Sequence, residues 1–76
     1  MENQNSQMTI DLKSSVERKG KVVTEIIYFS TGDKKTIHGI KTDTIEQSQF
    51  TKFECTNGKM VMINDKKVLW IEVFAE

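Results

Sequence analysis

Histidine is the residue that proteins most often use for acid–base chemistry near neutral pH, and His38 is the only one in this chain of 76 residues. Ser30, Thr31 and Asp33 lie across a predicted hairpin from it. A Ser-His-Asp arrangement can be drawn from these residues, but such triads are recognised by geometry, and nothing in the spacing requires one. We therefore interpret His38 as an exposed histidine or one on an edge strand.

Cys55 is the only cysteine, so no disulfide can form within the chain. A catalytic thiol needs a cationic or helix N-terminal environment that stabilises the thiolate. The predicted face of Cys55 carries Phe53 and Met60 instead, which favours a buried and inert thiol. A lone cysteine and the lack of a signal peptide are typical of a reducing compartment, and we expect a cytoplasmic protein.

Residue patterns that bind metals or cofactors are missing from the sequence. One thiol and one histidine cannot make a structural zinc site, and residues 30–35 lack the Gly-Lys-Ser/Thr ending of a phosphate-binding loop. Several acidic residues are scattered along the chain and do not have the spacing of a calcium loop. They are Asp33, Asp43, Glu46, Asp65 and Glu72. We therefore expect no metal and no cofactor. So few acid–base and nucleophilic groups also predict that the chain is not an enzyme.

Aromatic and basic side chains offer another kind of chemistry, the binding of single-stranded nucleic acid. Tyr28 is the best candidate for an exposed ring, whereas Trp70, inside an apolar run, is interpreted as a core residue. Eleven basic and eleven acidic residues give no net charge, which argues against a dedicated phosphate-backbone binder, although residues 13–41 hold seven basic residues against three acidic ones. Binding of RNA or single-stranded DNA is thus the alternative function. Its residues would be Lys19, Lys21, Tyr28, Lys34, Lys35 and Lys41.

The best-defined element is a hairpin around an Asn-Gly pair at residues 57–58. This pair predicts a type I′ turn with a two-residue loop, because both positions of that turn need positive φ. The resulting register sets Cys55 opposite Met60. The side chains then expected on one apolar face are Phe53, Cys55, Met60 and Met62.

The start of the chain divides into two parts. Residues 1–7 are polar and patternless, and we expect a flexible segment followed by a single domain over residues 8–76. Alternation with polar residues predicts a first strand, with a helix through Leu12 to Arg18 as the alternative. The apolar residues of this alternation are Met8, Ile10, Leu12 and Val16.

Further strands are predicted over residues 22–29, 35–41 and 68–74, which are rich in β-branched and aromatic residues. Gly39 suggests a bulge in the second of these. Residues 42–49 are interpreted as either a short helical turn or a polar loop around a buried Ile45.

Closely spaced turn signals predict an all-β domain, a small and strongly curved antiparallel sheet of about six strands. We expect this sheet to form a small barrel or a two-layer sandwich. The predicted core consists of Ile10, Leu12, Val23, Ile27, Phe29, Ile37, Phe53, Cys55, Met60, Met62, Leu69, Ile71 and Val73.

One family shares part of this strand layout. An apolar strand is followed by Gly32, Ile37, Gly39 and Ile40, and then by Phe53, Cys55 and the runs at 60–63 and 68–71. This order resembles the layout of Sm-like small barrels, which carry a Gly, an apolar strand and a second Gly in their first motif and form RNA-binding rings. The resemblance covers about fifty residues. It implies a small-barrel fold and transfers no functional residue.

Oligomerisation is the remaining source of stability for a small chain without disulfide or metal. In the strand at 68–74 only Glu72 discourages edge-to-edge pairing. We expect a homo-oligomer, a dimer or a ring, with an interface that includes Val68, Trp70, Ile71, Val73 and Phe74. The expected function is non-catalytic and regulatory: binding to copies of itself and to an unidentified protein. No apolar run approaches the ~20 residues that span a bilayer, so no membrane partner is expected.

Overall fold

The computed structural model describes residues 12–76 and shows an all-β domain with one short helix, which confirms the predicted fold class. The helix, α1, is Leu12–Glu17. The strands are β1 (Val22–Phe29), β2 (Lys34–Lys41), β3 (Glu46–Gln47), β4 (Phe50–Glu54), β5 (Met60–Asn64) and β6 (Val68–Ala75). Single turns of 3-10 helix occupy Thr42–Thr44 and Asp65–Lys67.

The strands form two antiparallel sheets. The first sheet has the order β2-β1-β6 and the second the order β3-β4-β5. One bridge between Ile40 and Cys55 joins them, while β5 and β6 form no ladder with each other in the described part of the chain. The fold is therefore a two-layer sandwich, and the closed barrel predicted as an alternative does not form. The Ser30 N–H donates to the Lys67 carbonyl at 2.7 Å, which anchors the turn before β6 at the end of β1, so that β6 runs back along β1.

The predicted first strand is wrong where the structure describes it, because residues 12–17 form α1. Leu12 and Val16 are four residues apart, a spacing that places two side chains on one face of either a strand or a helix. Val16 is buried in the core and Leu12 packs against it. Residues 8–11, the predicted core residue Ile10 and the predicted flexible segment at residues 1–7 lie outside the described part.

The hairpin between β4 and β5 forms with a different loop from the one predicted. The Cys55 N–H donates to the Lys59 carbonyl at 2.8 Å, and the Gly58 N–H donates to the Cys55 carbonyl at 2.9 Å. Gly58 has φ +87°, and no described non-glycine residue has positive φ. A type I′ turn is thus excluded, and the loop has three residues with a left-handed glycine at its end.

This loop shifts the register by one residue and reverses the faces of β5. Phe53 pairs with Val61 rather than with Met62. Val61 and Ile63 therefore point into the core, and Met60 and Met62 are each 62% exposed. The prediction that both methionines are core residues is wrong, because a one-residue slip moves every side chain of a strand to the other face.

The remaining core agrees largely with the sequence. Leu69 is the exception: it is 62% exposed, because Tyr28 pairs with Trp70 and Phe29 with Val68, which leaves Leu69 outside the ladder. Four predicted residues are fully buried, namely Val23, Ile27, Phe53 and Cys55. Five more pack against them while half-buried, namely Leu12, Phe29, Ile37, Ile71 and Val73. The structure adds Val16, Ile40, Ile45 and Ile63.

The predicted irregularity at Gly39 is confirmed. Val23 pairs with Ile40 and Glu25 with Ile37, so the register shifts across residues 38 and 39. Gly39 has φ +69°, and a Cβ there would lie 2.5 Å from Thr56 Oγ1. Its carbonyl accepts from the Thr56 N–H at 2.7 Å, so glycine allows the close approach of backbone that joins the two sheets.

Candidate functional site: the outer face of the first sheet

Side chains of β1 alternate between the core and the outer face of the first sheet. Val23, Glu25 and Ile27 are buried, while Thr24, Ile26 and Tyr28 are only partly covered. Tyr28 pairs with Trp70 of β6, and Thr24 pairs with Phe74. Because directly paired residues of antiparallel strands share a face, the outer face carries three aromatic rings.

Two of these rings form a stacked pair. The centroids of Tyr28 and Trp70 are 4.3 Å apart, with an angle of 20° between the planes. Trp70 is 52% exposed and Phe74 is 49% exposed, so the interpretation of Trp70 as a core residue is wrong. It lies outside the core because its partner Tyr28 lies on the solvent side of β1.

Charged groups flank the stacked pair on both sides. Lys34 Nζ lies 5.9 Å from the centroid of the Tyr28 ring, within the range of a cation–π interaction. The Tyr28 hydroxyl donates to Glu72 Oε1 at 2.9 Å, and this hydrogen bond is the main reason why the pKa of Tyr28 is raised. The pair thus offers an aromatic surface with a cation over the Tyr28 ring and an anion at the Tyr28 hydroxyl.

A second polar cluster lies towards the other end of β1. The Thr24 hydroxyl donates to Glu76 Oε2 at 2.6 Å, and the Gly39 N–H donates to the same oxygen at 2.7 Å. These hydrogen bonds, the one from Thr24 first, lower the pKa of Glu76. Thr24 Oγ1 is also 3.1 Å from His38 Nδ1. Because the hydroxyl donates to the carboxylate, His38 is not placed to take its proton.

The triad drawn from the sequence is not assembled. Ser30, Thr31 and Asp33 lie at the turn between β1 and β2, whereas His38 lies beside Thr24. The Thr31 hydroxyl donates to Asp33 Oδ2 at 3.1 Å. The arrangement at His38 therefore contains no Ser-His-Asp relay among these residues.

The residues predicted for nucleic-acid binding fall into two groups at opposite ends of the β1–β2 hairpin. Lys19, Lys21 and Lys41 lie near one end, and Lys41 is bound to Glu54 at 3.2 Å. Tyr28, Lys34 and Lys35 lie at the other end. The paired positions Val22–Lys41 and Tyr28–Lys34 are separated by six residues of β1, or roughly 20 Å. Only the second group adjoins the aromatic pair.

Two lysines of the first group, Lys21 and Lys41, line an open cavity of about 440 Å³. Lys21 and Lys41 stand there with Glu17 and Asp43. Thr42 and Gly20 also line it, and the Thr42 hydroxyl donates to the Gly20 carbonyl at 2.9 Å. Two cations beside two anions do not select a ligand of either sign.

The predicted interface residues of β6 are divided between its two faces. Val68, Ile71 and Val73 pack against the core, while Trp70 and Phe74 are exposed. The sequence did not predict Leu69 as a surface residue, because its exposure depends on the register shift opposite Tyr28 and Phe29, which no local pattern marks. In the described part of the chain β6 pairs with β1 alone, so its other edge is open.

Residues 12–76 lack two further kinds of feature. These residues contain no group of three or more His, Cys, Asp or Glu side chains that could hold a metal ion. They also contain no helix long and apolar enough to cross a membrane.

Comparisons with known proteins return no match, whether the chain is scanned against models of protein families, curated proteins or solved structures. The resemblance to Sm-like small barrels stays a prediction.

Proposed function

We propose that this chain is a small non-catalytic binding protein that self-associates through the open edge of β6. One observation carries the proposal: Leu69, Trp70 and Phe74 are 62%, 52% and 49% exposed on a single edge strand. Exposed apolar patches of this kind mark interaction surfaces. Within residues 12–76 this eight-residue strand is paired on one side only, and the unpaired edge of a strand presents N–H and C=O groups to a further strand.

Pairing of two β6 strands would join two first sheets into one six-stranded sheet. Glu72 is the only charged residue of β6, and its carboxylate already accepts the Tyr28 hydroxyl. Like charges directly opposite each other are destabilising in antiparallel pairs. A two-fold axis at Ile71 or Val73 keeps the two Glu72 residues apart, so we favour those registers.

Two observations support the other parts of the proposal. The hydrogen bonds at His38 direct the Thr24 proton to Glu76, which supports a function without acid–base catalysis. Cys55 is a free and buried thiol, which is consistent with the cytoplasm as its compartment. An unidentified protein partner is part of the proposal as well, and the outer face of the first sheet is the surface that we assign to it.

Mass measurement over a wide concentration range tests self-association. We expect a mass of about twice 8.8 kDa at micromolar concentration. Leu69→Lys should return the monomer, because it places a charge at the open edge. Met62→Lys is the matched control, since Met62 is equally exposed, at 62%, on the second sheet. A mass near 8.8 kDa at every concentration, or dissociation by the control alone, would contradict the proposal.

Binding of single-stranded nucleic acid is the second candidate, and one observation favours it. Lys34 lies over the Tyr28 ring, which is itself stacked on the half-exposed Trp70. A basic side chain beside an aromatic platform is the arrangement by which such proteins hold a phosphate and stack a base.

A salt titration against a labelled oligonucleotide tests this candidate. We expect affinity to fall steeply with salt, and Lys34→Ala to reduce the slope of log affinity against log salt by about one phosphate contact. Lys59→Ala is the matched control, because Lys59 is an exposed lysine next to the loop between β4 and β5 and is not among the residues predicted to bind nucleic acid. No detectable binding at low salt, or equal effects of the two variants, would reject this candidate.

A further inference from the structure

Glu25 lies where an aliphatic residue is expected. It occupies the middle of the central strand β1, on the inward face between Val23 and Ile27, and is 1% exposed. Ile37 and Val73 flank it on the neighbouring strands. The sequence shows this position only through parity, since residues 23, 25 and 27 share a face of any strand.

Among residues 12–76, neither carboxylate oxygen of Glu25 has a hydrogen-bond partner. The neighbouring positions on β2 and β6 are uncharged, and α1 contributes only Val16 and Leu12 to the core. On the side of the second sheet, the Cys55 thiol is a titratable group that interacts electrostatically with Glu25. Burial raises the pKa of this thiol; Lys59 opposes the effect, and Glu25 adds to it. Glu54 and Glu76 also raise it. For Glu25 itself, burial is the cause of the shifted pKa.

An ionised carboxylate in such a place is unstable, because burial removes its hydration and no hydrogen bond or ion pair replaces the lost water contacts. Burial accordingly raises the pKa of Glu25 to about 7. A proton is the smallest ligand that relieves this instability, since the neutral acid is far less costly to bury than the anion.

We propose that Glu25 is a proton-binding switch of the fold, which is closed when the carboxyl is protonated and opens between the two sheets when it releases its proton to water. The sandwich has one natural place to open. The Ile40–Cys55 bridge joins the sheets on one side, whereas among the described strands β5 and β6 form no ladder on the other. Separation on that second side would let water reach Glu25.

The direction of the effect follows from linkage. A carboxyl with a raised pKa in the closed state holds its proton over a pH range in which the open state has lost it. Opening is therefore rare at low pH, and its equilibrium constant rises as pH approaches about 7. With an ordinary pKa in the open state, the constant rises roughly twenty-fold between pH 5.5 and 7.5 and little beyond.

Labelling of the Cys55 thiol in the full chain tests this switch, because Cys55 is 3% exposed in the same core. The rate at each pH is divided by that of the urea-unfolded chain, which removes the ordinary pH dependence of thiol reactivity. We expect the ratio to rise roughly twenty-fold from pH 5.5 to 7.5. Glu25→Gln and Glu25→Leu should give a flat ratio. Glu46→Gln is the control, since it removes a carboxyl on the exposed surface of β3, and should behave as the natural chain does.

Carbon-13 NMR titration of the Glu25 carboxyl in the natural chain gives a second measurement that needs no variant. A midpoint near neutral pH supports the switch. A midpoint in the range of an exposed glutamate, or a labelling ratio in the natural chain that is as flat as in Glu25→Gln, would overturn it. Because Glu25 faces inward and the self-association surface faces outward, either proposal can fail without the other.

Discussion

The two faces of β1 depart from the usual distribution of side chains in opposite directions. The inward face holds Glu25, a carboxyl without a hydrogen-bond partner, among buried aliphatic residues. The outward face holds Tyr28, stacked on the half-exposed Trp70. Charged groups are almost never fully buried unless paired, and large exposed apolar patches are uncommon on monomers. Proteins retain such conflicts mainly at functional sites, and the two proposals accordingly concern these two faces.

The largest expected effect on stability comes from the difference in packing between the inward and outward faces of β1. Ile27 is 0% exposed and Ile26, the preceding residue, is only half-buried. Ile27→Ala should lower the free energy of unfolding by about 3–4 kcal/mol, because it leaves a cavity in the core. Ile26→Ala should lower it by about 1 kcal/mol. Urea denaturation measures both, and equal losses would mean that the strand does not have the orientation described.

The next effect concerns the buried charge. The folded chain holds the Glu25 proton up to about pH 7, whereas the unfolded chain loses it near the ordinary pKa of a glutamate. The free energy of unfolding therefore has its full value below that ordinary pKa and falls as pH rises to 7. The total loss should be about 3 kcal/mol. Urea midpoints from pH 4.5 to 8.5 measure it, and Glu25→Gln should remove this part of the dependence. Rising stability over the same range in the natural chain would contradict the prediction.

A smaller effect is expected on the outer face. Trp70→Ala should lower the free energy of unfolding of the dissociated chain by about 1 kcal/mol beyond Phe74→Ala, because stacked aromatic pairs contribute about that much. The two residues are similarly exposed, at 52% and 49%, and only Trp70 has a stacked partner among the described rings. Denaturation at nanomolar concentration measures the difference, and equal losses would show that the stack contributes nothing.

The smallest effect concerns the hydroxyl of the same pair. Tyr28 is the only tyrosine, so absorbance at the phenolate band follows it alone. Its pKa is raised, first by the hydrogen bond to Glu72. Glu72→Gln should lower the pKa towards its ordinary value, whereas Glu46→Gln should leave it unchanged. An identical titration in Glu72→Gln would mean that the Tyr28–Glu72 contact does not persist in solution.

Part of the fold was predictable because it depends on local patterns. The strands at 22–29 and 68–74 consist mostly of β-branched and aromatic residues, which suit a pleated and partly buried surface. The strand predicted over residues 12–16 is wrong, because two apolar residues four positions apart share one face of a strand as well as of a helix. The packing of Leu12 and Val16 against the core favours the helix α1 over a strand.

The candidate site was predictable only in part. Tyr28 was predicted to be an exposed ring, whereas the structure covers it in part, with Trp70 stacked on it and Lys34 over it. The role of Trp70 was missed, since composition alone places a tryptophan in an apolar run inside the core. Its exposure follows from the pairing of Trp70 with Tyr28, a contact between residues far apart in the sequence.

Composition and local pattern by themselves determined that this chain is an all-β domain with a hairpin around residues 57–58. These features depend on backbone preferences and side-chain shape within a few residues. Only the tertiary structure decided which residues face the core. An Asn-Gly pair suits both a two-residue and a three-residue loop, and the choice between them exchanges Met62 for Ile63 in the core. The physical reason is that strand register has a period of two, so a shift of one residue reverses both faces while the local sequence stays the same.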